Sequence, residues 1–356
     1  MNFKLSRFGF FAALVTACLA GVMPVHAQPK SAEAITAEIA LSQDRQRSQM
    51  LVDGARKEGA LTIYYSARDL APAVEAFSKK YGIKVKSWKS NGEAVLQRTV
   101  NEARGGRTEV DVVGNEEVGL EALRREQLLQ RAWSPHHADL VPQAVPAHKE
   151  WASTSIDVFV QAYNTDKVKK QDLPRTYQDL SDPRWKGQLG IESDDHPWFA
   201  TLIQAMGPEA GSKQFKDIVD TNGMSVRKGH NLLTQLVSSG EVPVGLTMYN
   251  YLVDQAKKKG APIDSFILSP AIASFKGVAV LKKAPHPHAA MLFYDFMLTD
   301  GQKIMADRSL IPTSITLDSP LRRLPLKYID PVQTVDQHDK WIKSYEDAIT
   351  KRVRPN

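Results

Sequence analysis

The first part of the chain alternates between short apolar runs and amphipathic stretches. The runs are rich in β-branched and aromatic residues and predict buried strands; they lie at 61–65, 83–85 and 110–113. Between them, apolar residues at helical spacing predict helices that begin near Asp69 and Asn91, because both residue types commonly cap helix starts. Strands alternating with helices in this way predict a parallel sheet in an α/β lobe.

Ligands of such a sheet bind beyond the carboxyl ends of its strands, where loops meet the helix starts. In the first lobe this edge falls at 65–69, 90–93 and 114–117. These three short segments are therefore the places where binding residues are expected.

A second series of elements begins with the apolar run IDVFVQA at 156–162, which predicts a buried strand leaving the first lobe. Further predicted strands lie at 188–192 and 242–247, with helices at 198–206, 211–219, 232–237 and 249–259. The segment 266–274 predicts a return crossing, and 278–281 predicts a strand back in the first lobe.

Several motifs around these elements keep a characteristic order and spacing. They are YNT from Tyr163, P-x-T-Y-x-D-L from Pro174, D-P-x-W-K-G from Asp182, and H-P-H-A-A-M-L-F-Y-D-F from His286. Over roughly 51–312, the chain resembles type II periplasmic solute-binding proteins of ABC importers, in the ferric-ion-binding branch. The resemblance implies the type II periplasmic-binding-protein fold, an α/β fold of two lobes. Each lobe would be a mostly parallel sheet flanked by helices, with two crossing strands as the hinge.

This resemblance suggests how the chain is divided. We expect a first lobe built from an early and a returning segment, a second lobe between them, and C-terminal helices that pack on the second lobe. The expected boundaries are 1–27 for a signal peptide, 28–155 and 274–311 for the first lobe, 156–273 for the second lobe, and 312–356 for the C-terminal helices.

The N-terminus has the pattern of an export signal. Lys4 and Arg7 precede an apolar run, and Val25-His26-Ala27 has the small residues of a cleavage site. Cleavage after Ala27 predicts a periplasmic protein without cysteine, since Cys18 is the chain's one cysteine and lies inside the signal. In the alternative interpretation, Cys18 is the lipid-bearing residue of a lipoprotein.

Composition and charge exclude several classes of protein. Hydrophobic residues make up 42% of the 356 and charged residues 24%, which are ordinary globular values. The formal charge of +6 falls to +4 when Lys4 and Arg7 leave with the signal, and no basic stripe is interleaved with aromatics. We therefore expect no nucleic-acid partner. After the apolar run of the signal, no stretch approaches the roughly 20 apolar residues of a spanning helix, so we also expect no stable membrane insertion. No cofactor motif is present, so we expect no cofactor. The family resemblance implies a monomer whose partners are a small ligand and an importer permease.

Candidate binding residues of the first lobe follow its predicted strands. Tyr65 and Ser66 lie at the end of the first strand. An anion bound there could accept hydrogen bonds from the backbone N–H groups of the next helix start and from the guanidinium of Arg68, which is a bidentate donor. Asn91 begins the following helix, and Glu116 follows the third strand. This set predicts an anion site, although each residue could instead be a helix cap or a surface side chain.

The second lobe offers an unusual run of polar residues, Asp194-Asp195-His196-Pro197-Trp198. One interpretation makes Asp194 and Asp195 plain helix-cap acids. In the other, Asp194, Asp195 and His196 contact ligand hydroxyl or amino groups, with Trp198 as a stacking wall. Arg227, near His230, could contact an anion from the same lobe.

Tyr249, Asn250 and Tyr251 follow the predicted strand 242–247. In the ferric-ion binders this place holds adjacent tyrosines that bind iron together with a histidine and a glutamate. The resemblance carries over to Glu116 and Tyr251 as iron ligands, whereas Asn250 stands where a tyrosine is expected and Arg68 stands near the histidine position. Because a guanidinium repels a trivalent cation, the sequence favours a site without metal.

The sequence thus predicts a solute-binding protein that delivers a small organic or phosphorylated anion to an ABC importer. Ferric iron is the alternative ligand. A ligand-sensing adaptor and a periplasmic hydrolase are further alternatives, although the chain lacks the common catalytic motifs.

Overall fold

The computed structural model describes residues 30–66 and 70–353, and within these ranges a single mixed sheet connects two halves of the protein. Its strands are β1 (Ala60–Tyr65), β2 (Lys84–Lys89), β3 (Val112–Glu116), β4 (Ala152–Asn164), β5 (Leu189–Glu192), β6 (Ser225–Arg227), β7 (Val244–Tyr249), β8 (Ile263–Phe266), β9 (Ile272–Val280), β10 (Ile311–Pro312) and β11 (Lys327–Tyr328). The predicted signal peptide with Cys18, and the candidate residue Arg68, lie outside the described residues.

The hydrogen-bonded order of the strands is β2-β1-β3-β9-β4-β7-β5-β6, with β8 and β10 paired to β4 and β11 paired to β9. In the first half, β1 pairs in parallel with β2 and β3. In the second half, β5 pairs in parallel with β6 and β7. The parallel pairing that the alternation of strands and helices predicted is therefore confirmed in both halves.

Helices connect the strands of each half. They are α1 (Ala32–Leu41), α2 (Arg47–Glu58), α3 (Leu70–Tyr81), α4 (Gly92–Arg104), α5 (Glu117–Arg125), α6 (His196–Met206), α7 (Pro208–Asn222), α8 (His230–Ser239), α9 (Asn250–Lys258), α10 (Pro287–Leu298), α11 (Asp300–Asp307), α12 (Pro331–Asp336) and α13 (His338–Tyr345). A π-helical turn, Glu346–Thr350, follows α13.

Local chemistry sets several helix ends. Helix α2 stops at Gly59, whose left-handed φ of 69° suits a residue without a side chain. Helix α4 begins where the side chain of Asn91 accepts a hydrogen bond from the Ala94 N–H at 2.7 Å. This cap places the start of α4 beside the carboxyl ends of β1 and β3.

Strands β4 and β9 join the two halves. They pair with each other in antiparallel fashion, while β9 also pairs with β3 and β4 also pairs with β7. Every residue of β4 is buried. These two strands are the observed counterparts of the two predicted crossings.

The predicted division of the second crossing into a segment at 266–274 and a separate strand at 278–281 is wrong. One continuous strand, β9, runs from the end of the first segment through 280, and Lys276 pairs with Glu116 of β3 in its middle. A lysine followed by a glycine interrupts the apolar pattern of this strand, which is why the pattern alone suggested a break.

The core of the first half is built around α10, which contains most of the motif that begins at His286. Phe293 and Phe296 of α10 lie against Phe77 of α3, with ring centroids 5.1 and 5.5 Å apart. All three side chains are buried. The apolar residues of this helix therefore pack into the core of the first half.

The C-terminal segment contacts both halves. Helix α13 packs on α6 in the second half, while α12 packs on α5 in the first. The domain boundaries remain a proposal, because a segment that touches both halves does not itself mark a border.

Candidate functional site

Acidic and aromatic side chains stand at the carboxyl ends of parallel strands in both halves. Glu116 ends β3, Glu192 ends β5 and Tyr249 ends β7. The binding edge of a parallel sheet lies at these strand ends. From here, two groups of side chains extend toward each other.

The first group, which we call the lysine cluster, consists of Glu116, Asp157, Tyr249, Tyr251 and Lys276. The Lys276 Nζ lies 3.1 Å from Glu116 Oε1 and 3.2 Å from Asp157 Oδ2. It also lies 5.0 Å from the centroid of the Tyr249 ring, on which Tyr251 stacks at 5.8 Å with an interplanar angle of 11°. One ammonium group therefore contacts a carboxylate from β3, a carboxylate from β4 and an aromatic ring from the second half.

Electrostatics keep this cluster ionised. Burial disfavours the charged form of Lys276, but the carboxylates of Glu116 and Asp157 outweigh it and raise the lysine pKa well above its usual value. The same ammonium lowers the pKa of Glu116. The pKa of Tyr249 is raised well above its usual value by burial and by the nearby Glu116 carboxylate, so its phenol is neutral at physiological pH.

The second group, the histidine cluster, consists of Glu192, Asp195 and His230. The His230 Nε2 lies 3.3 Å from Asp195 Oδ1, and the His230 Nδ1 lies 3.1 Å from the carbonyl oxygen of Thr247. The Glu192 carboxylate accepts backbone N–H groups from Asp194 at 2.5 Å and from Gly229 at 2.8 Å. One potential ligand atom from each of the three residues lies within 4.8 Å of the others.

Burial opposes the charged form of His230, but Asp195 and Glu192 outweigh it and raise the imidazole pKa to about 9. The pKa of Glu192 is itself raised by burial and by the neighbouring Asp195. An imidazolium between carboxylates is therefore the resting state of this cluster near neutral pH.

Aromatic rings bring the two clusters into contact. The rings of His230 and Tyr249 lie 4.0 Å apart, and Phe159 of β4 lies 5.1 Å from Tyr249. Tyr249 thus contacts both Lys276 and His230. Together the two clusters hold four carboxylates and two cationic side chains, so this described part of the site carries an excess of negative charge.

Four of the predicted site residues meet here. Glu116, Tyr249 and Tyr251 belong to the lysine cluster, and Asp195 belongs to the histidine cluster. Tyr249 and Tyr251 are each 8% exposed, whereas the Glu116 side chain is 43% exposed. Of these, Glu116 is the side chain most open to a ligand.

The other predicted residues of the first half have structural partners. The Ser66 hydroxyl donates to Asn115 Oδ1 at 2.9 Å, the Asn91 side chain caps α4, and Tyr65 is buried in the core. Ser66 and Asn91 still lie at the predicted edge of the sheet, so their part in binding stays a prediction. The same holds for Arg68.

The predicted role of Trp198 as a stacking wall is wrong. Its side chain is fully buried and packs against Phe215 at 5.8 Å and Tyr177 at 6.3 Å. A side chain with no exposed surface cannot contact a ligand. Helix α6 is apolar on most sides, so the sequence does not show which way its tryptophan points.

Three of the remaining predicted residues of the second half contact side chains outside the two clusters. Asp194 is exposed and lies 3.8 Å from Lys228, the His196 ring packs against His338 at 5.2 Å, and Arg227 lies 3.9 Å from Glu241. The combined role of Asp194, Asp195 and His196 in contacting a ligand therefore stays a prediction. Of the three, only Asp195 joins a cluster.

Asn250, which replaces an expected tyrosine, is structural. It is buried, and its Oδ1 accepts the backbone N–H of Val158 at 3.1 Å. This bond fixes the start of α9 against β4. Asn250 is therefore not free to act as a ligand residue.

Sequence reasoning missed Asp157, Glu192 and Lys276. Asp157 and Lys276 are single charged residues within otherwise apolar strands, IDVFVQA and IASFKGVAV. Such a charge is costly to bury alone, so a pair of them in two crossing strands was an available signal. Glu192 gave a similar signal as the last residue of the apolar strand β5.

The chain is similar in sequence to known solute-binding proteins. Residues 119–338 match a family described as bacterial extracellular solute-binding protein. The major ferric iron-binding protein of Neisseria meningitidis serogroup B is 25% identical over 261 residues, which cover 69% of this chain and 78% of that protein.

Two solved structures share the fold, each with a TM-score of 0.71. Iron-bound HitA from Pseudomonas aeruginosa is 25% identical, and the match covers 81% of this chain and 99% of HitA. The periplasmic binding protein AfuA from Actinobacillus pleuropneumoniae, with fructose-6-phosphate bound, is 24% identical and is matched over 82% of this chain and 99% of AfuA. The α/β fold predicted from the sequence, that of type II periplasmic binding proteins, is confirmed.

Among the helices of the described chain, none combines the length and the apolar character that crossing a bilayer requires.

Proposed function

Because the chain belongs to the bacterial extracellular solute-binding protein family, whose members bind solutes rather than transform them, we propose that it captures ferric iron between its lobes for an ABC importer. The observation that carries this proposal is the excess of carboxylates at the described site, with two stacked tyrosines beside Glu116. A site lined in this way attracts a cation more strongly than an anion.

The donor chemistry supports iron. Glu116, Tyr249 and Tyr251 offer a carboxylate and two phenols, and hard cations prefer oxygen ligands. The ferric iron-binding protein of Neisseria meningitidis and iron-bound HitA favour the same ligand. These relatives support ferric iron as the ligand rather than the organic anion that the sequence favoured.

Lys276 sets a condition on this proposal. Its ammonium contacts Glu116 and repels a metal ion held by the same carboxylate. Iron binding therefore requires Lys276 to release Glu116, while Asp157 on β4 remains as its second partner. Asn250 contributes no phenolate, so Tyr251 supplies the second one in this chain.

A small phosphorylated anion is the second candidate, and Lys276 is the observation that favours it. An ammonium at the meeting point of both halves is a natural partner for a phosphate, and AfuA shows that this fold accommodates a phosphorylated sugar. Arg68 would add a second cation. A ligand-sensing adaptor would use the same site and differ in its membrane partner.

Colour separates the two candidates. Tag-free protein loaded with ferric citrate at neutral pH and passed through gel filtration should retain one iron ion per chain and a visible phenolate-to-iron absorption band. Tyr249→Phe and Tyr251→Phe should each weaken or abolish the band, because each removes one oxygen donor. Tyr81→Phe, a change on α3 outside both clusters, is the matched control and should keep it.

A different result in the same experiment would favour the phosphorylated anion. A protein that stays colourless with ferric citrate, yet melts at a higher temperature in fructose-6-phosphate, would replace iron with the anion. In that case Arg68→Ala should weaken binding by roughly 1.5–3 kcal/mol, the range for a hydrogen bond to a charged group.

Ligand binding should also change the shape of the protein. We propose a hinge at β4 and β9, with lobes divided near residues 155 and 273, because these strands join the two halves. X-ray scattering should give a smaller radius of gyration with ferric citrate than with citrate alone. An unchanged radius in a sample shown to hold iron would argue against closure.

A further inference from the structure

We propose that the histidine cluster is a separate site for a divalent transition-metal ion such as Zn²⁺, held by Glu192, Asp195 and His230. The site goes beyond the proposed function, since it shares no ligand residue with Glu116, Tyr249 and Tyr251. Glu192 ends β5, Asp195 is the N-cap residue of α6, and His230 begins α8.

The spacing of the ligand atoms fits a small metal ion. Ligands of a tetrahedral zinc ion lie about 2.0 Å from the metal, and this geometry separates them from one another by about 3.3 Å. His230 Nε2 and Asp195 Oδ1 lie 3.3 Å apart, and one potential ligand atom from each of Glu192, Asp195 and His230 lies within 4.8 Å of the other two.

His230 is oriented for this role. Its Nδ1 faces the carbonyl oxygen of Thr247, which can only accept a hydrogen bond, so Nδ1 carries a hydrogen. The other ring nitrogen, Nε2, then faces the carboxylates, and a metal ion that binds there takes the place of the Nε2 proton, which is released to solvent. Histidine ligands of metals are commonly held in this way, with one nitrogen bound to a backbone carbonyl and the other directed at the metal.

Asp195 supplies an independent sign of a missing partner. The residue is only 6% exposed, and its Oδ2 has no hydrogen-bond partner among the described residues. It stands at the N-cap position of α6, yet its side chain caps no backbone N–H. A buried carboxylate oxygen without a partner is costly, and a cation between Asp195, Glu192 and His230 removes that cost.

Glu192 is held in place before any metal arrives. Its two oxygens accept N–H groups from Asp194 and Gly229, at the entrances to α6 and α8, and the residue is 4% exposed. Each oxygen retains a further lone pair for a metal. Because one nitrogen and two carboxylate donors suit zinc better than the all-oxygen shells of calcium or magnesium, we assign the site to a zinc-like ion.

Calorimetry with ZnCl₂ on tag-free, EDTA-treated and dialysed protein tests the proposal. One zinc ion should bind per chain, and Asp195→Asn and His230→Gln should each weaken binding at least tenfold. The neighbouring changes Asp194→Asn and His196→Gln are matched controls and should leave the affinity within about twofold, because neither side chain belongs to the cluster. Thermal melts establish whether each variant is folded.

Cobalt gives a second measurement that does not depend on a variant. Co²⁺ in the wild-type protein should show the intense visible d–d bands of a four-coordinate site, and added Zn²⁺ should remove them. Wild-type protein that binds no zinc, or that binds it equally well after Asp195→Asn and His230→Gln, would overturn the proposal.

Failure of this site can be told apart from failure of the iron site. Tyr249→Phe removes an oxygen donor and should weaken or abolish the ferric absorption band. It keeps the ring that packs on His230, so zinc binding should stay intact. Asp195→Asn should weaken zinc binding and leave the ferric absorption band intact. If both variants abolish both metals, the two clusters form one site and the inference of a separate site is wrong.

Discussion

Trp198→Ala is expected to lower the free energy of unfolding by about 3–5 kcal/mol, the usual cost of emptying a large aromatic site in a core. The indole is fully buried between Phe215 and Tyr177, and Phe199 beside it on α6 also packs on Phe215. Chemical denaturation of wild type and variant measures the difference. Ligand affinity should stay within about twofold at a temperature where the variant is folded.

Trp198→Phe is the matched control for this prediction. It keeps an aromatic ring next to Phe215 and should cost clearly less stability than alanine. A Trp198→Ala protein with wild-type stability but no ligand binding would contradict this prediction. It would indicate that Trp198 contacts the ligand.

Lys276→Met is expected to have an effect of similar size, because it leaves Asp157 buried without its cation. The Asp157 side chain has no exposed surface, and breaking a buried ion pair by removing one partner typically costs about 3–5 kcal/mol. The double change Lys276→Met with Asp157→Asn should recover a large part of the loss, since it also removes the stranded charge. Denaturant melts of the wild type, both single variants and the double variant form the required cycle.

Additive losses in that cycle would show that Lys276 and Asp157 do not depend on each other. Glu116→Gln with Lys276→Met should recover less than the Asp157 combination does. The reason is that the Glu116 side chain is 43% exposed, so water already compensates much of its charge.

The pKa shifts define the pH range of this stabilisation. The pKa of Lys276 is raised by folding, so its contribution is complete below the usual lysine pKa of about 10.4 and is lost as the pH rises through the higher folded value. The pKa of Glu116 is lowered by folding, so its contribution is complete above about pH 4.3 and is lost as the pH falls through the lower folded value. The lysine cluster should therefore stabilise the fold across the physiological range.

The sequence predicted the fold well because its strands are dense apolar runs between turn and cap residues. The strand before Ser66 and the helix capped by Asn91 lie almost where the pattern placed them. The exception was β9, where Lys276 interrupts the apolar run. The same residue is the centre of the lysine cluster. Treating Lys276 as a break in the strand therefore led both to the wrong bounds for β9 and to its omission from the predicted site.

The site was harder to predict because side-chain direction depends on packing between distant elements. Glu116 and Tyr249 could be placed correctly, since each ends a strand of a parallel sheet. The run from Asp194 to Trp198 could not be resolved, because consecutive residues at a helix start point in different directions. Asp195 turns to His230 while Trp198 enters the core.

The contact between Lys276 and Glu116 bears on delivery as well as capture. On the proposed function, a cation that binds Glu116 must displace an ammonium group that belongs to the protein itself. This internal competitor lowers the affinity for iron, but it also takes the carboxylate back when the ion leaves. This exchange should help an importer to remove iron from a carrier that binds it tightly. Once the ion leaves, Lys276 pairs with Glu116 again, and the neutralised carboxylate attracts the ion less.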